Sequence, residues 1–280
     1  MEPSLESLVE RAEDGDKAAL EALVRRIQDR IYGLALRMLW HPADAEDATQ
    51  EILIKIVTHL SDFRGESAFT TWVYRIASNY LLTTRKRRAE FEELTFERFA
   101  DQLSTGLSDA PLQVPEAEQK LLIEEVKIGC TQGMLLCLDR EHRIAYILGE
   151  IFEVTGEEGS YILSITPAAF RKRLSRARER IRTFMQNNCG LVTPSNPCHC
   201  ARRVYHAIQI GRVDPNNLLF ARHPARRRQD AATLEKVQEL EELQRAAAIF
   251  RSHPDYIAPD TFVEGVKKLI ASGKFKVFGG

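Results

Sequence analysis

Apolar residues recur at three- and four-residue intervals along almost the whole chain, and no run alternates apolar with polar residues as a half-buried strand does. The spacing predicts an all-α fold. Over residues 4 to 90 it predicts helices in SLESLVERAEDG, KAALEALVRRIQDRIYGLALRML, DAEDATQEILIKIVTHL and AFTTWVYRIASNYLLTTRKRR. Pro42 with Asp44 starts the third, and DFRGES separates it from the fourth, as turn and cap chemistry does. Periodicity is lost over 89–116, where STGLSDAPLQVPE holds Gly106, Pro111 and Pro115; this predicts a linker with a short helix ahead of it. A second helical block runs from 117 to 187, and NNCGLVTPSNPCHC interrupts it. A third block, 201 to 280, holds helices in DAATLEKVQELEELQRAAAIFRS and DTFVEGVKKLIAS.

A chain of 280 residues, 44% hydrophobic and 28% charged, has room for two or three domains, each with its own core. No stretch approaches the ~20 apolar residues of a membrane span, and the N-terminal residues lack the basic and apolar segments of a signal peptide. The expectation is a cytoplasmic protein with no membrane partner. Five cysteines, odd in number and unevenly spaced, fit reduced thiols or metal ligands better than a secreted disulfide framework.

The formal net charge is only -1, but the charge is segregated. Acids are dense before residue 125, whereas between 165 and 228 only Glu179 and Asp214 occur. A local basic cluster, not the sum, sets an electrostatic footprint, so one surface is expected to face a polyanion. Its densest part is SITPAAFRKRLSRARERIR. Read as a helix, it places Phe170, Leu174, Ala177 and Ile181 on one buried stripe and arginines on most of the remaining circumference. Thr166 caps the helix and Pro167 suits its first position. Upstream, VTGEEGSYIL supplies a short helix and SIT a tight turn, the arrangement that places a second helix in a DNA major groove. The plainer alternative is a solvated charged face on an ordinary helix.

The third helix, with Ala48, Ile52, Ile56 and Leu60 facing inward, leaves Asp47, Gln50, Glu51 and Ile54 on other faces. An acidic, partly apolar surface suits a protein partner better than DNA, although acids near a helix N-terminus are also favoured by its dipole alone. The fourth helix mixes Trp72, Tyr74 and Tyr80 with Arg75 and Asn79 and ends in RKRR. Aromatic rings stack on unpaired bases while cations track phosphates. Phe69, Val73, Ile76 and Tyr80 are expected on its core-facing stripe, and Trp72 has a structural alternative as well, so Arg75 and Asn79 are the stronger contact candidates.

The stretch DAEDATQEILIKIVTHLSDFRGESAFTTWVYRIASNYLLTTRKRR resembles the second conserved region of bacterial RNA polymerase sigma factors of the extracytoplasmic-function (ECF) type, and TPAAFRKRLSRARERIR resembles their fourth region. The resemblance covers residues 5 to 187 in the expected order. It implies two helical domains, a region 2 bundle over 1–90 and a region 4 helix-turn-helix over 117–187, joined by a linker over 91–116 and followed by a mostly helical C-terminal extension over 188–280. It implies binding to core RNA polymerase through Asp47, Gln50, Glu51 and Ile54. It implies capture of the promoter −10 element by Arg64, Trp72, Arg75, Asn79, Arg85 and Lys86, where the captured base offsets an unstacking cost of a few kcal/mol. It implies −35 contacts from Arg171, Lys172, Arg173, Ser175 and Arg176, with Arg173, like Arg178, turned more to phosphate or solvent. Such a factor catalyses nothing itself, needs no cofactor, works in a stress or environmental response, and can be met by an anti-sigma factor; the extension, which a minimal factor lacks, either regulates access to polymerase or DNA from within the chain or is a stabilising appendage. The chain departs from the family pattern at Gly159 and Ser160, and at Ser164 where a Gly is usual. An interior glycine costs about 1 kcal/mol relative to Ala, which predicts a shortened or shifted supporting helix.

In the extension, Cys189, Cys198 and Cys200 with His206 are candidate ligands of a structural zinc. Against that, C-x-C is an uncommon ligand spacing; reduced thiols in a turn and a redox-sensing group are the alternatives. ARHPARRR either extends the basic surface or binds acids of the same chain. Leu234, Val237, Leu240, Leu243, Ala247 and Phe250 form a stripe that needs a partner surface. Two rival functions remain at this point: an operator-binding regulator that works without polymerase, and a metal-dependent enzyme built on Cys189, Cys198, Cys200 and His206.

Overall fold

The computed structural model describes residues 3–84, 94–221, 225–226, 242–259 and 261–271. Among these residues the chain is helical throughout, apart from two strands of two residues each at Ala225–Arg226 and Asp255–Tyr256. In order the helices are α1 (Leu5–Glu13), α2 (Lys17–Leu39), α3 (Pro42–Thr58), α4 (Phe69–Thr83), α5 (Phe96–Ser104), α6 (Glu116–Leu136), α7 (Arg140–Tyr146), α8 (Gly156–Leu163), α9 (Pro167–Asn188), α10 (Cys200–Gln209), α11 (Glu242–Arg251) and α12 (Thr261–Ala271). A short π-helical turn, Ile147–Ile151, continues α7. None of the described helices is long and apolar enough to cross a membrane.

The chain divides into two compact units that do not follow its linear order. The first gathers residues 1–85, 155–170 and 256–280. Here α2 is the central rod: Leu20, Ile27, Ile31 and Leu34 are fully buried, packed between α1, α3 and α4. Its start is fixed by Asp16, whose Oδ1 accepts from the Ala18 and Ala19 amides at 2.9 and 3.0 Å. Pro42 opens α3, which buries Ala48, Ile52 and Ile56. The buried stripe of α4 is Phe69, Val73, Ala77 and Leu81; Ile76 and Tyr80, expected on that stripe, are only half-buried. Apolar residues surround α4 on several sides, so spacing alone misplaces its inward face by one position. α8 lies along α4, and α12 along α2 and α3.

The second unit gathers residues 86–154 and 171–255. Two of its buried charged side chains are tied to backbone groups. Arg143, almost wholly buried, donates from Nε to the Leu135 carbonyl at 2.9 Å and from an Nη to the Leu138 carbonyl at 3.0 Å, binding the last turn of α6 and the residues just after it. Glu125 accepts the amides of Leu219, Phe220 and Ala221 at 2.8, 2.9 and 2.7 Å, tying the segment after α10 to α6. Leu122 and Val126 of α6 meet Val204 and Ala207 of α10, with Val213 and Leu218, in an apolar cluster. The first part of the tail is thus built into a core.

Candidate nucleic-acid and polymerase interfaces

Thr155 and Glu158 form a reciprocal capping box at the start of α8: Thr155 N donates to Glu158 Oε2 at 2.8 Å and Glu158 N to Thr155 Oγ1 at 3.2 Å. The helix lasts eight residues and ends at Ser164, whose φ of 53° is left-handed. Thr166 then caps α9, accepting from the Ala169 amide at 3.2 Å. Gly159, at the middle of α8, is not a weak point. A Cβ there would occupy the space filled by the Phe170 ring, so the glycine is what lets the two helices of this motif close on each other. The supporting helix is short, as expected, but its glycine is a packing requirement.

On α9 the predicted stripe of Phe170, Leu174, Ala177 and Ile181 is buried. Arg171, Lys172, Ser175 and Arg176 are all exposed. Arg173 and Arg178 differ: Arg173 pairs with Glu141 at 2.9 Å, and Arg178 Nε donates to Glu150 Oε1 at 2.6 Å. Glu150 is itself nearly buried, and Arg178 is the nearer of its two counter-charges, the other being Arg251 at 4.0 Å. Nothing local in the sequence couples positions 150 and 178.

Ahead of α4, the loop, α4 and α8 border an open pocket of about 270 Å³ lined by Asp62, Phe63, Arg64, Glu66, Ser67, Trp72 and Tyr161. Trp72 is stacked on Phe69, with centroids 5.5 Å apart, and lies 5.6 Å from Phe63. The Phe63 ring stands edge-on to Phe69 at 5.2 Å. Trp72 therefore serves the core on one side and faces the pocket on the other. Arg64 and Asn79 are exposed, and Arg75 is half-buried, its guanidinium 4.6 Å from the Tyr161 ring centroid. Phe63 and Tyr161 were not among the predicted site residues. Phe63 was within reach, since it sits in the DFRGES loop; Tyr161 was not, because it arrives from α8. Arg85 and Lys86 lie outside the described residues, as does most of ARHPARRR, together with Leu234, Val237, Leu240 and the side chain of Leu243.

On α3, Asp47, Gln50 and Glu51 are exposed and Ile54 half-buried, spaced to share one face. They form an acidic surface with an apolar step.

The expected zinc set is not assembled. Among the described residues no group of three or more His, Cys, Asp or Glu side chains is arranged to hold a metal ion. His206 packs its ring against Gly106, and burial, then Arg203 and Arg212, lower its pKa. Cys189 and Cys198 are bridged through their backbones, with the Gly190 amide donating to the Cys198 carbonyl at 2.9 Å. Burial raises the pKa of all three thiols, that of Cys200 to about 12. Cys130 of α6, not singled out from the sequence, shares their electrostatic neighbourhood.

Residues 23–91 match the family model for Sigma-70 region 2. The RNA polymerase sigma-H factor of Pseudomonas aeruginosa is 32% identical over 184 residues, 65% of this chain and 93% of the relative. The ECF RNA polymerase sigma-E factor of Haemophilus influenzae is 34% identical over 184 residues, covering 65% of this chain and 95% of its own length. A solved sigma factor RpoE from Bartonella quintana, crystallised with the anti-sigma factor NepR, aligns with 58% of this chain and 94% of its own, at 17% identity and a TM-score of 0.38.

Proposed function

Because the chain belongs to the ECF-type sigma factors of RNA polymerase, extended by a C-terminal segment beyond the part shared with its relatives, we propose that it binds core polymerase through the outward face of α3 and directs initiation at specific promoters. The division of labour follows the chain: residues 1–90 grip polymerase and capture the −10 element, 91–116 link, 117–187 read the −35 duplex, and 188–280 form the extension. Arg171, Lys172, Ser175 and Arg176 contact the duplex; Arg64, Trp72, Arg75 and Asn79 surround the captured strand; Asp47, Gln50, Glu51 and Ile54 meet polymerase. The observation that supports this most is on α9: one stripe is buried while four consecutive-turn polar and basic side chains face solvent. Bidentate arginine contacts to guanine edges and to phosphates need that exposure.

The chain works in the cytoplasm, needs no cofactor and carries out no bond chemistry, which polymerase supplies. Binding assays separate this from a regulator that acts without polymerase. The chain should co-elute with core polymerase and bind promoter duplex tightly only when docked on it; tight, sequence-selective duplex binding by the chain alone, with no polymerase complex, rejects the proposal.

A further inference from the structure

We propose that α12 is an internal competitor for the polymerase-binding face of α3, so that the free chain is masked and core polymerase must displace the helix to bind. This rests on the assignment of α3 as the polymerase-facing helix. Phe262, Val263 and Val266 form the buried side of α12, and the Phe262 ring lies 6.4 Å from that of Tyr32 on α2. Just before the helix, Tyr256 is buried under the Arg37 guanidinium, 5.4 Å from its ring centroid. Two polar contacts hold the rim: the Ala258 amide donates to Asp29 Oδ1 at 2.9 Å, and Lys267 Nζ pairs with Glu21 Oε1 at 2.9 Å. The segment from 256 to 267 is therefore fastened along α2 at several points.

Gly265 brings this segment to the binding face. A Cβ on Gly265 would stand 3.4 Å from Gln50 Nε2, so the α12 backbone already lies against one of the four side chains assigned to polymerase. Asp47, Gln50 and Glu51 remain open to solvent, but a protein element seated over Gln50 needs more than access by water. A partner helix packs with its axis within about 8–10 Å of α3, and on the Gln50 side α12 holds that space. The contact is confined to one short segment, Tyr256, Ala258, Phe262, Val263 and Val266 with a rim at Asp29 and Glu21, whereas a stable protein partner covers roughly 800 Å² on each side, so polymerase binding across the whole α3 face can compete with it.

The test is the affinity of the full-length chain for core polymerase, measured by titrating a fluorescently labelled chain. Undocking α12 with Phe262→Asp plus Val266→Asp should tighten the apparent Kd about tenfold, the factor by which a ten-to-one masked population weakens it. Lys267→Glu, which breaks only the surface pair with Glu21, should move it the same way by a smaller factor. Adding Glu21→Lys to Lys267→Glu restores the pair, at the expense of the Glu21–Arg25 pair within α2, and should return the affinity toward the weaker wild-type value; Glu21→Lys alone, which loses both pairs, is the control. If the apolar variant fails to fold, the charge-reversal series carries the test alone. Binding that is unchanged or weaker in the undocked variants overturns the masking. Failure of every form, wild type included, to bind polymerase overturns the functional proposal instead, and the masking with it.

Discussion

The Phe170 ring fills the space that a side chain on Gly159 would need, so the two helices of the helix-turn-helix are set at a distance only glycine permits. Propensity alone predicts that Gly159→Ala stabilises α8 by about 1 kcal/mol. Overpacking against a fully buried ring costs about 1–3 kcal/mol and wins. Gly159→Ala should lower the thermal unfolding midpoint and weaken promoter binding by the polymerase complex. Ser164→Gly should act oppositely: its left-handed φ of 53° is free of steric cost only for glycine, and the change should stabilise by about 0.5–1 kcal/mol in chemical denaturation.

The arginines of α9 should separate into two classes. Arg171→Ala and Arg176→Ala, both at exposed positions, should each weaken −35 duplex binding by about 1–3 kcal/mol if they read bases, or reduce the salt slope by about one if they hold phosphates. Neither should move the unfolding midpoint. Arg178→Ala should do the reverse, because it removes the nearer of the two arginines, Arg178 and Arg251, that pair with the nearly buried Glu150. A loss of about 1–3 kcal/mol in stability is expected, with smaller effects on DNA. Salt-dependent binding together with thermal unfolding distinguishes the classes.

The aromatic cluster before α4 makes a similar split. Trp72 is stacked on Phe69 and tilted against Phe63, so Trp72→Ala should cost about 2–3 kcal/mol of stability, somewhat below a fully buried Trp. Asn79 is exposed. Asn79→Ala should leave unfolding within about 0.5 kcal/mol of wild type while slowing promoter opening, measured by the reactivity of unpaired thymines.

Much of this was legible in the sequence, and the boundary is physical. The α9 stripe reads correctly because arginines isolate its apolar residues, leaving one face that can bury. On α4 the apolar residues nearly encircle the helix, and Ile76 and Tyr80 were placed inward where Ala77 and Leu81 belong. Gly159 read as a helix defect because propensity is local and Phe170 approaches from the next helix. Tyr161 beside Arg75, Glu150 beside Arg178, and Gly265 beside Gln50 join positions far apart in the chain. One sequence carries no record of such pairs. The packing of His206 against Gly106 is of the same kind: closeness to the cysteines along the chain says nothing of it.

Alkaline pH should destabilise the fold through its thiols. Burial lifts Cys137 and Cys200 from the ordinary 9.0 to about 12. Each is protonated in the folded chain where it ionises when unfolded, so its contribution is complete below pH 9 and is lost as pH rises toward 12. Denaturation midpoints should fall across that window, and Cys200→Ala should flatten the slope. At pH 8 the native thiols should alkylate far more slowly than those of the unfolded chain.

Run-off transcription by purified core polymerase, on promoter DNA from the chain's own genome, tests the central claim most directly. A discrete transcript should appear only when the chain is added, and should fall roughly tenfold or more with Asp47→Lys plus Glu51→Lys, which reverses the charge of the α3 face. Equal transcription without the chain, or an undiminished transcript from the charge-reversed variant, would contradict the account.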